Sequence, residues 1–275
     1  MKRLFLILIF SINWAIGIQA VDLPSTAQSL ALSNTGIALP INTLINPSYN
    51  SDGKNSASFS TNYGLYDVVG KTISNQFGKH EISLNTFNTD VPIYGEEPAL
   101  EPLGEAGLQF SCLSYRYLIG QSLKQNFGIK LKGVYLKLFP EHIYGLLFDI
   151  GFQRNINKYF NIGLTIKNVG HVVSDLPDSP LPYEYGLGFS FSPLNIILLA
   201  DIIYHEIDKE AFKLGVITNS KIFNIYGSIV QFKTNRYLST GFDMKYKNIS
   251  FSYGIMFQEV KKLGISQSFQ VSLYY

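Results

Sequence analysis

The chain of 275 residues contains a single cysteine, a single tryptophan and few charges, and past its N-terminus it has no long hydrophobic run. Cys112 has no second cysteine with which to close an internal disulfide, and no Cys/His spacing has the form of a zinc site. It lies in an alternating stretch, where a small strand residue is the plain reading. Charged residues make up 15% of the chain, against about a quarter in soluble proteins. There are 22 basic and 20 acidic residues, so Lys2 and Arg3 account for the whole excess. Phosphate binding needs a basic face, and nucleic acid is excluded as a partner. No later stretch reaches the roughly eighteen apolar residues of a membrane helix. The nearest approach begins at Ile196 and ends at Asp201. No G-x-S-x-G elbow, H-E-x-x-H pair or phosphate loop is present, so neither enzyme chemistry nor a cofactor is expected.

What is present begins with a targeting signal. Lys2 and Arg3 precede an apolar run from Leu4 to Ile12 and then the small residues Ala15, Gly17 and Ala20. This reads as a secretory signal peptide over residues 1–20.

Beyond it the dominant pattern is period-two alternation, which sends successive side chains to opposite faces of a strand. Phe160, Ile162, Leu164 and Ile166 oppose Asn161, Gly163, Thr165 and Lys167. Leu187 and Phe189 oppose Gly186, Gly188 and Ser190, and Phe251 and Tyr253 oppose Ser252 and Gly254. The pattern predicts roughly fourteen strands, near 55–64, 67–76, 80–88, 106–118, 125–138, 144–154, 159–169, 182–192, 195–205, 210–219, 222–233, 236–247, 249–258 and 263–275. Each has about the nine to eleven residues, or slightly more, of a tilted membrane strand. The bulky face is aromatic and aliphatic while the other is Gly, Ser, Asn and charge. That division predicts an all-β, transmembrane antiparallel β-barrel in contact with outer-membrane lipid, rather than a soluble sandwich. Tyr63, Tyr135, Tyr159, Tyr183, Tyr237 and Tyr246 fall toward strand ends, where interfacial girdles sit. Phe269, Val271, Leu273 and Tyr275 alternate to an aromatic C-terminus.

Connections alternate in length. Tight turns fall at 155–158, 192–194, 219–221 and 247–248, and longer links at 88–105, 139–143, 170–181 and 205–209. The longer set is expected outside the cell, with both termini in the periplasm.

Parity places Lys130, Lys132, Asp149, Lys167, Glu184, Asp243 and Lys245 on the inward face, since Arg or Lys facing lipid near the midplane costs about 2–4 kcal/mol. A lumen network of compensating ion pairs is the simple reading, and a solute path the sharper one. The inward glycines, among them Gly128, Gly151, Gly163, Gly186 and Gly254, are expected to relieve crowding. His80, His142, His171 and His205 are expected as solvated residues at strand ends or in loops. Pairs such as Glu141-His142 and His205-Glu206 lack a partner motif.

Residues 21–54 differ from the rest, with little alternation and few charges, and are expected as a plug in or under the lumen of a barrel spanning 55–275. Ala27, Leu30, Gly36 and Ala38, followed by Asn46-Pro47-Ser48, resemble the start of the PorV/PorQ family of barrels, related to the FadL long-chain fatty-acid transporters. Gly163 through Gly170, reading Gly-Leu-Thr-Ile-Lys-Asn-Val-Gly, and Leu181-Pro182 leading into Tyr185-Gly186-Leu187-Gly188 are similar to later strands of that family. The resemblance implies a fourteen-strand barrel with an N-terminal hatch that includes Gly36, Asn46 and Pro47. It also implies one of two roles: a non-catalytic docking component of type IX protein secretion, with secretion-system proteins or exported cargo as partners, or uptake of a hydrophobic ligand. The first is preferred on Asn168-Val169-Gly170, on Leu181-Pro182 and on loops that look too short for a deep fatty-acid pocket. A hydrolase at the barrel rim is the third reading.

Overall fold

A computed structural model of the chain describes residue 21 and residues 23–51, 54–64, 68–93, 104–121, 124–138, 141–174, 181–206, 209–233, 235–258 and 265–275. The expected signal peptide at 1–20 lies outside them. Fourteen strands form a closed antiparallel barrel: β1 (Ser56–Tyr63), β2 (Val69–Phe77), β3 (His80–Ile93), β4 (Gly104–Gln121), β5 (Gln125–Leu138), β6 (Glu141–Asn155), β7 (Phe160–Ser174), β8 (Glu184–Phe191), β9 (Ile196–His205), β10 (Lys209–Thr218), β11 (Phe223–Phe232), β12 (Arg236–Tyr246), β13 (Ile249–Gln258) and β14 (Ile265–Tyr274). Each strand pairs with its sequence neighbour, and β1 closes on β14 in a register running from Ser56 opposite Tyr274 to Tyr63 opposite Gln267. No open edge remains around the ring, the condition under which strands cross a bilayer. This is a transmembrane β-barrel.

The two faces sort as the alternation predicts. Leu164, Leu187, Phe251, Phe269, Val271 and Leu273 are exposed on the outside, whereas Thr165, Ser252, Ser268 and Ser272 are buried on the inside. Phe160, Ile162, Phe189 and Tyr253 also face out, partly covered by neighbouring rings. Phe160 stacks on Phe189 at 6.2 Å and Tyr253 meets Phe269 at 4.8 Å, cross-strand pairs that stabilise the ladder from the lipid side. Tyr159 and Tyr246 carry Lys158 and Lys247 over their rings, 4.6 and 5.3 Å from the centroids. Both pairs stand at tight turns of the same rim, where a girdle is expected.

One rim holds both strand termini and the short turns, including the hairpin at Gly78, whose φ of +58° suits glycine. The opposite rim is uneven. β3 to β7 have 14, 18, 14, 15 and 15 residues, more than a bilayer needs. These five strands rise as a tall wall. The link expected at 88–105 is accordingly shorter, because β3 continues to Ile93 and β4 begins at Gly104. Above the membrane no lipid selects an apolar face, so the alternation fades there although the ladder continues. The expected start of β8 near 182 likewise moves to Glu184.

Candidate functional site

The lumen is occupied by the N-terminal segment, whose residues are among the most buried in the protein. Short helix α1 (Ala27–Ala31) starts at Thr26, whose hydroxyl accepts from Ser29 N–H at 3.1 Å while the Ser29 hydroxyl answers the Thr26 N–H. This capping box lets Ala27, Leu30 and Ala31 face the inside of the barrel. The chain then turns through Ser33, Asn34 and Gly36, all with positive φ. Gly36 and Ile37 point their N–H groups at Asp201, 2.6 and 3.2 Å from its carboxylate oxygens. Lys213 adds a bond to the Ser33 carbonyl at 3.4 Å.

Asn46 ties the second half down. Its amide nitrogen donates to the Ile37 carbonyl at 2.8 Å and to the Phe152 carbonyl of β6 at 3.3 Å, and its Oδ1 accepts from the Ser48 N–H and hydroxyl. The wall it meets is glycine. A Cβ at Gly151 would overlap the Asn46 side chain and sit 2.8 Å from Pro47 Cδ; one at Gly163 would overlap the Ile37 carbonyl and sit 2.7 Å from Ala38 Cα. Gly128 faces the Pro47 carbonyl and Gly254 the Ala27 carbonyl in the same way. The inward glycines therefore form a track on which the backbone of the N-terminal segment rests. Under this segment the inner face turns apolar: Leu32 packs on Leu199 and Ile217, and Ile37 and Ile45 on Ile203 and Ala211.

Five of the seven expected lumen charges come together. Lys132 pairs with Asp149 at 2.7 Å and Lys167 with Glu184 at 2.7 Å. With buried Lys130 they line a void of about 20 Å³ that also touches Asn34, Asn85, Cys112 and Ser114. Asp243 and Lys245 sit apart on β12. Asp243 is fully buried and accepts from Ser252 at 2.7 Å, whereas Lys245 is 43% exposed at the rim and reaches back to Asp243 across 3.8 Å. Lys245 is thus a mouth residue, since β12 runs out of the barrel at Tyr246.

Among the described residues, four buried charges lie beyond the expected set: Arg116, Glu81, Asp201 and Lys213. Arg116 is fully buried, 3.7 Å from Glu81, which also takes the Thr43 hydroxyl. Arg116 was open to the same parity argument, alternating with outward Tyr115. Asp201 and Lys213 were hidden because the residues beside them on the inner face, Leu199, Ile203 and Ala211, are apolar toward the N-terminal segment. The histidines also divide. His205 is buried rather than solvated, standing across the ladder from Glu184. His80 bonds the Tyr115 hydroxyl at 2.7 Å, His142 the Tyr135 hydroxyl at 3.0 Å, and His171 is exposed. Among the described residues no three His, Cys, Asp or Glu side chains gather as a metal site.

The motif that ends β7 has a local structural cause. Asn168, with φ of +60°, is a bulge residue at which the β6 register shifts. Its N–H bonds Asp149 at 2.9 Å and its side-chain amide holds the Pro182 carbonyl at 2.9 Å. Among the described residues the β7–β8 ladder ends at Lys167 opposite Glu184, and from Val169 to Ser174 β7 is laddered with β6 alone. Inside the tall wall, Phe87, Leu108, Phe110, Cys112, Leu136 and Ile143 form one buried apolar cluster, with Val134 and Val172 packed against it. The lumen thus has an apolar upper wall, a charged floor, and the N-terminal segment below.

No family model matches the chain, and no curated protein matches it in sequence. Its fold is similar to solved barrels of the FadL type. The monoaromatic hydrocarbon channel CymD superposes with a TM-score of 0.65 at 10% identity, over 92% of this chain and 98% of that one. The toluene transporter TodX of Pseudomonas putida gives 0.61 at 10% identity over 90% and 96%. A FadL homologue of Pseudomonas aeruginosa gives 0.55 at 8% identity over 91% and 98%.

Proposed function

We propose that this chain is an outer-membrane barrel that admits small hydrophobic molecules without chemically changing them. The apolar inner wall formed by Phe87, Leu108, Phe110, Leu136 and Ile143 carries the reading. Lumen positions that meet only water or ions gain nothing from such side chains, whereas an apolar solute leaving water gains about 25 cal/mol for each Å² it buries. The rim that holds both termini and the tight turns faces the periplasm, and the tall wall stands outside the cell. A solute held against the wall meets charge and the N-terminal plug beneath it, so a straight descent is unfavourable. On this reading a solute would leave sideways, where the β7–β8 ladder ends at Lys167.

The hydrocarbon-carrying barrels of similar fold support this reading over docking in protein secretion. The residues that suggested docking, Asn168-Val169-Gly170 and Leu181-Pro182, serve the β7 bulge and its anchor. The apolar cluster is built by the long strands, so it does not depend on long loops. The filled lower lumen is compatible with either role.

The test is binding of toluene by the purified barrel in lipid vesicles, compared with Phe110→Asp. Saturable binding by the wild-type protein, weakened roughly tenfold or more in the folded variant, is expected because a carboxylate in the wall must be desolvated when the solute seats. No saturable binding by the wild-type protein, or equal binding by both, would reject the proposal.

A further inference from the structure

The buried charges around the plug do not balance. Among the described residues five buried cations, Arg116, Lys130, Lys132, Lys167 and Lys213, stand against four carboxylates, Glu81, Asp149, Glu184 and Asp201. Asp243 lies apart on β12 with Lys245. Each of the four carboxylates is already engaged. Glu81 faces Arg116, Asp149 holds Lys132, Glu184 holds Lys167, and Asp201 takes the N–H groups of Gly36 and Ile37. Lys130 is left over. It stands in the ladder between Arg116 of β4 and Asp149 of β6. Among the described residues its ammonium has neither an ion pair nor a hydrogen bond, although the residue is only 2% exposed.

What Lys130 meets is the void of about 20 Å³ between wall and plug. The Asn85 oxygen beside it is sealed, but the Lys130 ammonium opens into it. Lys132, Asp149, Lys167 and Glu184 also border the void, which makes three ammoniums to two carboxylates and a positive interior. The plug closes it with Leu23, Asn34 and Leu44. One water needs about 10–15 Å³ of such space, so the void admits one guest of roughly that size or slightly larger. A buried charge without a countercharge is costly, and a guest of opposite sign removes that cost.

We propose that this void binds one monovalent anion of halide size, seated on Lys130 and touching both wall and plug. Ser114 can donate to it as well, since Ser83 can supply the hydrogen of their 2.7 Å bond. Size excludes sulfate, phosphate and any carboxylate with a carbon body. Leu23 and Leu44 favour ions that give up their water readily, such as bromide, over fluoride. A cation gains nothing in a space that is already positive, and water fits but leaves Lys130 uncompensated. Because plug residues form part of the void, the anion binds only while the plug is docked, so occupancy holds the plug in place.

The experiment uses the assembled barrel with sodium bromide as the probe. Crystals grown in bromide should show an anomalous-scattering peak within hydrogen-bond reach of Lys130 Nζ. In vesicles, hydrogen exchange of residues 33–48 should slow saturably as bromide replaces gluconate at constant ionic strength, by about tenfold at ten times the dissociation constant. Sulfate and acetate should not slow it. Lys130→Met keeps most of the side chain and removes its charge; it should lose both the peak and the bromide response, while its exchange without bromide is no faster than that of the wild-type protein. Lys245→Met, at the mouth, should keep the peak and the response. Absence of a bromide peak at Lys130 in the wild-type protein would overturn the proposal, whatever the variants do. So would an equal bromide response in Lys130→Met, or an equal response to acetate. None of these readouts involves toluene, so failure here is distinguishable from failure of the uptake reading.

Discussion

Replacing Gly163 by alanine places a methyl group inside the contact distance of the Ile37 carbonyl and 2.7 Å from Ala38 Cα. Both neighbours are backbone, so the plug rather than a flexible side chain must move. Overpacking of this kind costs about 1–3 kcal/mol, which shifts the docked-to-undocked equilibrium of the plug roughly 5- to 150-fold. The strand itself keeps its ladder, because alanine at an inward position leaves every backbone bond of β7 in place. Hydrogen exchange by mass spectrometry should therefore show faster exchange in peptides covering residues 33–48. Peptides of β9 to β13 should keep their protection. Gly151→Ala, which meets Asn46 and Pro47, should act on the same peptides, and the two effects should not add, since Asn46 and Ile37 are bonded to each other. Gly120→Ala is the control, its nearest neighbour being Phe127 Cβ at an ordinary 3.8 Å. Unchanged exchange of residues 33–48 in Gly163→Ala, or an equal change in Gly120→Ala, would refute the argument that glycines are the seat of the plug.

Asp201→Ala removes the acceptor of the Gly36 and Ile37 N–H groups; at about 1–3 kcal/mol for each donor left unpaired, it should loosen residues 35–40 before the rest of the plug, read by the same exchange measurement. Leu187→Arg on the outer face should destabilise the barrel in vesicles by about 2–4 kcal/mol in urea unfolding, with no effect if that face met water. Combined replacement of His80, His142 and His171 by alanine should leave toluene binding within twofold of wild type in the assay proposed above, whereas loss of binding in a folded protein would reopen a catalytic or ligand role for them. Deleting residues 21–50 should leave a barrel that assembles but conducts ions in planar bilayers, because the lower lumen loses its filling. An unchanged low conductance would mean that the side chains of the wall close the pore by themselves.

Local sequence was sufficient wherever one physical contrast repeats. A strand between lipid and a polar lumen must alternate, so Leu164 and Thr165, or Phe251 and Ser252, declare their faces without reference to any other part of the chain. Strand number, the outward aromatic set and the inward placement of Lys167, Glu184 and Asp243 follow from that contrast. Tertiary structure decided everything that depends on what sits inside the ring. The glycines on the inner face read as relief of crowding, but only the path of residues 23–51 shows that Gly151 and Gly163 are contact points for a backbone. Asp201 lies in an apolar stretch because Leu199 and Ile203 beside it cover the plug, and its partners, the N–H groups of Gly36 and Ile37, lie more than a hundred residues away. β5 was readable over its whole length, but the upper ends of β3, β4, β6 and β7 escaped for the opposite reason: above the bilayer the contrast between faces disappears, and with it the periodicity that makes a strand readable.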